Sequence, residues 1–166
     1  LRSASLLATT SIPTDEDAFM EIVERADVLR KARILEGVRA EDLAAIAILC
    51  REASFEADEV IFEEGDAGRT LFVVVRGRVE ARKGGHALFD AAPGQSVGSL
   101  SLLDGRPTNY SAVALEPTEA LVLGRSEFQR VLQEREAVRN AVIDYLTGVV
   151  RGLNEPPEDR GASEGT

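Results

Sequence analysis

The residues best suited to bind a ligand lie in one stretch, residues 97–114, with the sequence VGSLSLLDGRPTNYSAVA. It predicts a turn at Gly98, a short helix over residues 99–103, a polar loop and an apolar strand. Glycine lets a backbone approach a ligand closely, and the N-terminus of a helix presents free N–H groups that attract an anion. The pattern therefore indicates an anion site, although the uncharged Thr108 and Asn109 stand where an anion would need a cation.

Other residue types that support catalysis form no recognisable constellation. His86 is the single histidine and stands beside a predicted hairpin, which favours a surface position. Cys50 is the single cysteine and lies on the apolar side of a predicted helix, which favours the core over a nucleophile. Neither a metal-ligand cluster nor a phosphate-binding Gly-Lys-Ser/Thr loop occurs. We therefore expect no catalytic residues, no metal and no cofactor, and an enzyme is the least favoured function.

Charge and hydropathy exclude two kinds of partner. The chain has 29 acidic and 19 basic residues and a net charge of −10. Nucleic-acid binding depends on basic residues that neutralise phosphates, so we expect no nucleic-acid partner. No apolar run approaches the roughly 18 residues of a membrane span, so we expect no membrane insertion. The single cysteine suits a reducing compartment, and we predict a cytoplasmic location.

Hydrophobic spacing predicts helices at both ends of the chain and strands between them. Thr14 is a candidate N-cap for the first helix, and residues 40–50 follow as a second. From Phe55 onward the pattern is that of short strands, with a two-residue hairpin turn at Gly84-Gly85. The predicted strands cover residues 60–62, 71–75, 78–82, 111–115 and 120–123. Many short strands at close spacing favour a β-barrel or roll.

Two further helices are predicted after the strands. Ser126 would open the first, with Gln129 completing a capping box. The second carries one apolar stripe, formed by Val138, Val142, Leu146, Val149 and Leu153. The same stripe is suited to pair two chains as a homodimer. The predicted domain covers residues 14–153, between a linker or disordered tail (1–13) and a disordered acidic tail (154–166).

Three segments together resemble the cyclic nucleotide-binding domain family. Residues 63–85, EEGDAGRTLFVVVRGRVEARKGG, are similar to the front half of that domain, with its Gly-Asp-x-Gly turn at residues 65–68. Residues 97–115 resemble its phosphate-binding cassette, and residues 32–47 resemble its lead-in helix. The resemblance implies a mainly β fold with flanking helices (α+β). It is a double-stranded jelly-roll type of β-roll with N-terminal helices, a short cassette helix and two C-terminal helices.

The resemblance also implies a role for each cassette position, and this chain departs from several. In ligand-binding members a glutamate takes the ribose hydroxyl and an arginine pairs with the cyclic phosphate; here these positions are Ser99 and Thr108. A small residue that is usual later in the cassette is replaced by Tyr110, which would crowd the pocket. The candidate ligand positions are Gly98, Ser99, Leu100, Ser101, Arg106, Thr108, Asn109 and Ser111. The cassette is thus predicted to be degenerate.

The sequence leaves three functions open. The first is a non-catalytic regulatory or sensor module with weak or no binding of cAMP or cGMP, which acts on an attached effector through conformational or protein contacts. The second is a sensor whose non-standard pocket takes cAMP, cGMP or another small anionic ligand. The third is an enzyme. The sequence begins at Leu1, which fits a fragment with an effector domain upstream.

Overall fold

The computed structural model describes residues 20–154, in which helices flank two four-stranded antiparallel sheets. The N-terminal helices are α1 (Ile22–Arg30), a 3-10 helix (Arg33–Leu35) and α2 (Ala40–Leu49). The strands are β1 (Arg51–Phe55), β2 (Val60–Phe62), β3 (Thr70–Arg76), β4 (Val79–Lys83), β5 (His86–Ala91), β6 (Ser96–Val97), β7 (Ser111–Ala114) and β8 (Thr118–Gly124). The short helix α3 (Ser99–Asp104) lies between β6 and β7, and α4 (Arg125–Glu134) and α5 (Glu136–Asn154) follow β8. The predicted fold class is confirmed.

Strand β3 is buried on both faces, as its continuous apolar run predicts. Leu71 and Val73 pack with the helices, whereas Phe72 and Val74 pack in the core between the two sheets. The first sheet has the order β1-β8-β3-β6, and the second, β2-β7-β4-β5, covers the other side of the inner core. Burial of apolar surface stabilises by about 25 cal/mol per Å². Because β3 contributes buried side chains to both hydrophobic cores, the stability of each core depends on this strand.

The second sheet contains the predicted hairpin. Gly84 and Gly85 have φ of 58° and 81° and join β4 to β5. Strand β4 buries Val79 and Ala81 in the predicted alternation. Strand β5 lies at the edge of the sheet and is exposed along most of its length. Phe89 is therefore a large apolar side chain on an accessible edge.

The ends of the predicted elements differ in several places. Helix α1 begins at Ile22 with Glu21 as its N-cap, and Thr14, the predicted N-cap, lies outside the described residues. Strand β1 begins at Arg51, although the strand pattern is evident only from Phe55. Helix α5 includes Asn154, where the acidic tail was predicted to begin. The predicted segments 1–13 and 155–166 lie outside the described residues.

The predicted capping box of Ser126 and Gln129 is wrong. Helix α4 begins at Arg125 with Gly124 as its N-cap, and no side chain caps it. The Arg125 N–H donates a hydrogen bond of 2.8 Å to the Arg69 carbonyl oxygen. The chain thus passes directly from strand pairing into the helix, whose N-cap lies two residues before the predicted one. Ser126 is therefore inside the first turn.

Helix α5 packs on the core through its first half and through Leu146, which is partly buried. Val138, Ala141 and Val142 are buried, whereas Leu153, at the far end of the predicted stripe, is exposed. Ile143 and Val150 are also exposed. Among residues 20–154, none of the helices has the length and apolar character needed to cross a membrane.

A buried carboxylate fixes the point where α5 begins. Asp42, in the first turn of α2, is 3% exposed. One of its oxygens accepts a 2.7 Å hydrogen bond from Arg135, the non-helical residue between α4 and α5. The other lies 3.4 Å from Arg39. A buried carboxylate without a cation would be strongly destabilising, so this pair holds the α4–α5 junction against α2.

Replacement of Arg135 by alanine tests this contact. Because Asp42 would remain buried without its main partner, we expect Arg135→Ala to lower the free energy of unfolding by about 1–3 kcal/mol. The matched control is Arg76→Ala, which removes an exposed pair with Glu119 and should cost less than about 1 kcal/mol. Denaturant unfolding followed by circular dichroism measures both. Equal losses in the two variants would contradict a structural role for the buried pair.

Candidate functional site

The predicted turn at Gly98 brings the backbone close to strand β3. Gly98 is the N-cap of α3 and has a φ of +93°. A Cβ atom at this position would lie 2.6 Å from the carbonyl oxygen of Thr70. Both the left-handed backbone and the contact with β3 therefore require glycine here. The backbone N–H of Gly98 is one of the donors near the start of α3 that the sequence pattern assigns to an anion.

That N–H donates instead to a side chain of the same protein. The Gly98 N–H forms a 2.8 Å hydrogen bond with the hydroxyl oxygen of Tyr110. The Tyr110 ring is held by Phe62 and Phe89, whose ring centroids lie 5.6 and 5.5 Å away. Burial raises the pKa of the Tyr110 hydroxyl, and the hydrogen bond from Gly98 opposes this rise only in part. Tyr110 therefore stays a neutral phenol that occupies one of the proposed anion donors.

Thr108 ties the cassette loop to the turn that precedes β3. Its hydroxyl donates to the Glu63 carbonyl oxygen at 2.7 Å, and its N–H donates to the Asp66 carbonyl oxygen at 2.9 Å. Its own carbonyl oxygen accepts from the Gly65 N–H at 2.8 Å. With 7% of its surface exposed, Thr108 is a buried polar residue whose partners satisfy it. The hydroxyl is thus engaged in holding two loops together.

The Gly-Asp-x-Gly turn is in direct contact with α3. A Cβ atom on Gly68 would overlap the Ser101 side chain, so only glycine allows this approach. Nearby, the Ser111 hydroxyl oxygen accepts a 3.0 Å hydrogen bond from the Glu64 N–H. These contacts make the turn and the cassette one unit in which the position of each depends on the other.

Next to α3 is a cavity of about 140 Å³. Its lining residues are Phe89, Gly98, Ser99, Leu100, Ser101, Thr108, Asn109, Tyr110 and Tyr145. None of these carries a charge. Pockets for drug-sized ligands usually measure about 300–1,000 Å³, so this cavity is small for a nucleotide.

Six of the eight predicted ligand positions line the cavity. Arg106 and Ser111 do not: Arg106 is exposed and its N–H donates to Asp104, while Ser111 bonds to the preceding turn. Phe89 and Tyr145 line the cavity but were not predicted, and Tyr110 was noted only as an obstruction. Phe89 comes from β5 and Tyr145 comes from α5. Phe89 lies in an exposed strand and Tyr145 in a helix with periodic apolar residues, and neither pattern signals a ligand site.

The two residues considered as nucleophile and base lie away from the cavity. Burial raises the pKa of the Cys50 thiol to about 12, an effect that Arg25 partly opposes, so the thiol stays protonated. This confirms that Cys50 is a core residue. His86 is exposed at the start of β5. The part of the chain from 20 to 154 contains no group of three or more His, Cys, Asp or Glu side chains able to hold a metal ion.

Two glycine substitutions should have opposite effects on stability. Gly98→Ala combines a positive φ with a backbone contact, and we expect it to lower the free energy of unfolding by about 1–3 kcal/mol. Gly148→Ala, in an open part of α5, should raise it by up to about 1 kcal/mol. Thermal and denaturant unfolding measure both variants. If Gly98→Ala left the free energy of unfolding unchanged, the close approach of residue 98 to Thr70 would not require glycine.

Comparison with known proteins identifies the family. Residues 52–135, just over half of the chain, match the model of the cyclic nucleotide-binding domain family. A cAMP-dependent protein kinase regulatory subunit from Hypocrea atroviridis is 28% identical over 123 residues, covering 73% of this chain and 27% of that protein. A CRP-like cAMP-activated global transcriptional regulator from Mycobacterium tuberculosis is 23% identical over 133 residues, covering 77% of this chain and 59% of that protein.

A solved structure gives the same result. The N-terminal domain of a transcriptional regulator from Streptomyces coelicolor A3(2) matches with a TM-score of 0.71 and 28% identity, covering 80% of this chain and 99% of that one. The chain spans about a quarter of the length of the kinase regulatory subunit and about three-fifths of the length of the transcriptional regulator. The cassette glycine, the β-roll and the family match agree, and the chain belongs to the cyclic nucleotide-binding domain family.

Proposed function

We propose that this chain is a non-catalytic regulatory or sensor domain that binds cAMP and cGMP weakly or not at all. It acts on an attached effector through conformational change or protein contacts. The observation that carries the proposal is the hydrogen bond from the Gly98 N–H to Tyr110, which occupies one of the backbone donors at the start of α3 that could bind a cyclic phosphate. The two relatives described above are a kinase regulatory subunit and a transcriptional regulator, which supports a regulatory role.

The missing charges support the proposal independently. Family resemblance puts a glutamate at position 99 and an arginine at position 108, where this chain has Ser99 and Thr108. A charge-assisted hydrogen bond contributes about 1.5–3 kcal/mol. Loss of both contacts costs roughly 3–6 kcal/mol, which is about two to four orders of magnitude in affinity. In addition, the Thr108 hydroxyl is already bonded to Glu63 and is not free to replace the arginine.

Helix α5 is the element best placed to transmit a change. Tyr145 brings α5 to the cavity, while Arg135 anchors its start to Asp42. Its second half contains Gly148 and Gly152 and has few buried residues. Interior glycines weaken a helix by about 1 kcal/mol each. A change at the cavity would therefore move the far end of α5 more readily than its start.

The exposed face of α5 is suited to a second copy of the chain. Ile143, Val150 and Leu153 are exposed and form a seam on this face, whereas Leu146 is half-buried against the helical core. Exposed apolar side chains on one helix often mark a surface that contacts a partner. We include a homodimer through this seam in the proposal.

With a net charge of −10, the domain itself is not expected to bind nucleic acid.

Titration calorimetry with cAMP tests the proposed loss of ligand binding. The unmodified chain should give no saturable heat, because no charged side chain lines the cavity. The variant Ser99→Glu, Thr108→Arg, Tyr110→Ala restores both charges and clears the donor, and we expect it to gain about two orders of magnitude in affinity or more. The matched control Ser99→Gln, Thr108→Met, Tyr110→Ala clears similar space without charge and should gain much less. Tight cAMP binding by the unmodified chain would contradict the proposal.

The dimer has a separate test. Ile143→Asp places a charge in the seam and should convert the dimer to monomer in analytical ultracentrifugation. Ile48→Asp, at an isoleucine of similar exposure on α2, is the control and should leave the mass unchanged. The seam is not an interface if the unmodified chain stays monomeric at high concentration, or if both variants behave alike.

A further inference from the structure

We propose that the cavity beside α3 binds a small uncharged ligand with one aromatic ring, of the phenol or aromatic-alcohol class. This inference rests on the proposed function, since it assumes that no cyclic nucleotide occupies the same space. It identifies what the domain would sense in place of a nucleotide.

The size of the cavity selects a single ring. Its volume is about 140 Å³. An apolar protein cavity of about 150 Å³ is large enough to hold benzene. Pockets for drug-sized ligands usually measure about 300–1,000 Å³, which is larger than this cavity.

The walls of the cavity are mostly aromatic. Phe89, Tyr110 and Tyr145 reach it from β5, from the start of β7 and from α5. Phe89 and Tyr110 meet edge to face, with centroids 5.5 Å apart and planes at 76°. Aromatic rings favour such edge-to-face or offset contacts, and a third ring placed between these walls would make several of them. A flat ring therefore fits better than an aliphatic group of the same volume.

The polar groups of the cavity are neutral and few. Ser99 and Asn109 line it, and neither side chain forms a hydrogen bond with another described residue. They can bind one hydroxyl group on the ligand. A charged group would enter without a counter-ion, and transfer of an unpaired charge from water is strongly unfavourable. The chemistry thus selects a neutral ring with a hydroxyl substituent.

Calorimetric titration of the unmodified chain with phenol, cyclohexanol and cAMP tests the ligand class. Cyclohexanol has the hydroxyl group and ring size of phenol but no aromatic system. We expect saturable heat with phenol at low-millimolar concentration, several-fold weaker binding of cyclohexanol, and none of cAMP. Equal binding of phenol and cyclohexanol would overturn the role of the aromatic walls.

Variants locate the binding. Phe89→Ala and Tyr145→Ala each remove one wall and should weaken phenol binding about tenfold. Leu88→Ala is the control, because Leu88 is a neighbouring exposed residue that does not line the cavity. Thermal unfolding by circular dichroism checks that each variant is folded, and a Phe89→Leu variant replaces Phe89→Ala if that protein is unfolded.

The outcomes separate this inference from the proposed function. If neither phenol nor cAMP binds, or if phenol binds equally well to both wall variants, the inference is overturned while the regulatory role stands. If cAMP binds tightly to the unmodified chain, the proposed function fails and this inference fails with it.

Discussion

The hydrogen bond between the Gly98 N–H and the Tyr110 hydroxyl ties the residue before β7 to the N-cap of α3 and occupies one backbone donor of the cassette. A neutral hydrogen bond contributes only about 0.5–1.5 kcal/mol, and each aromatic contact of the Tyr110 ring adds about as much. The interaction of a phosphate with an arginine would offset the free energy of these contacts. Without such a cation, nothing in the lining favours displacement of the ring. A modest set of neutral contacts is thus enough to keep the Gly98 N–H occupied.

The cassette is held from two sides, and this makes its shape dependent on distant elements. On one side, Thr108 and Gly68 bring it against the turn before β3. On the other, Tyr145 reaches the same cavity from α5. Since Arg135 ties the start of α5 to the buried Asp42, a change in the cavity acts on a helix that is fixed at one end and exposed at the other. The regulatory role proposed for α5 depends on this asymmetry.

The sequence predicts best where neighbours along the chain set the conformation. The apolar run of β3, the hairpin glycines and the turn at Gly98 all have the predicted structure, because burial and positive φ act locally. Prediction fails where a tertiary partner decides. Ser126 reads as a cap, yet the hydrogen bond from the Arg125 N–H to the Arg69 carbonyl oxygen, directly after the pairing of β8 with β3, starts the helix first. Thr108 lines the cavity as predicted, but its hydroxyl bonds to Glu63, which the sequence does not show. The spacing of residues along the sequence does not predict that Phe89 and Tyr145 line the same cavity.

The central claim is that Tyr110 keeps the Gly98 N–H unavailable to a cyclic phosphate. The most direct measurement is the backbone amide resonance of Gly98, followed by NMR while cAMP is added to the unmodified chain. The account predicts that this resonance keeps its position through the whole titration. A saturable shift of the Gly98 amide, together with a shift of the Tyr110 ring resonances, would show that the nucleotide displaces the tyrosine and would contradict it.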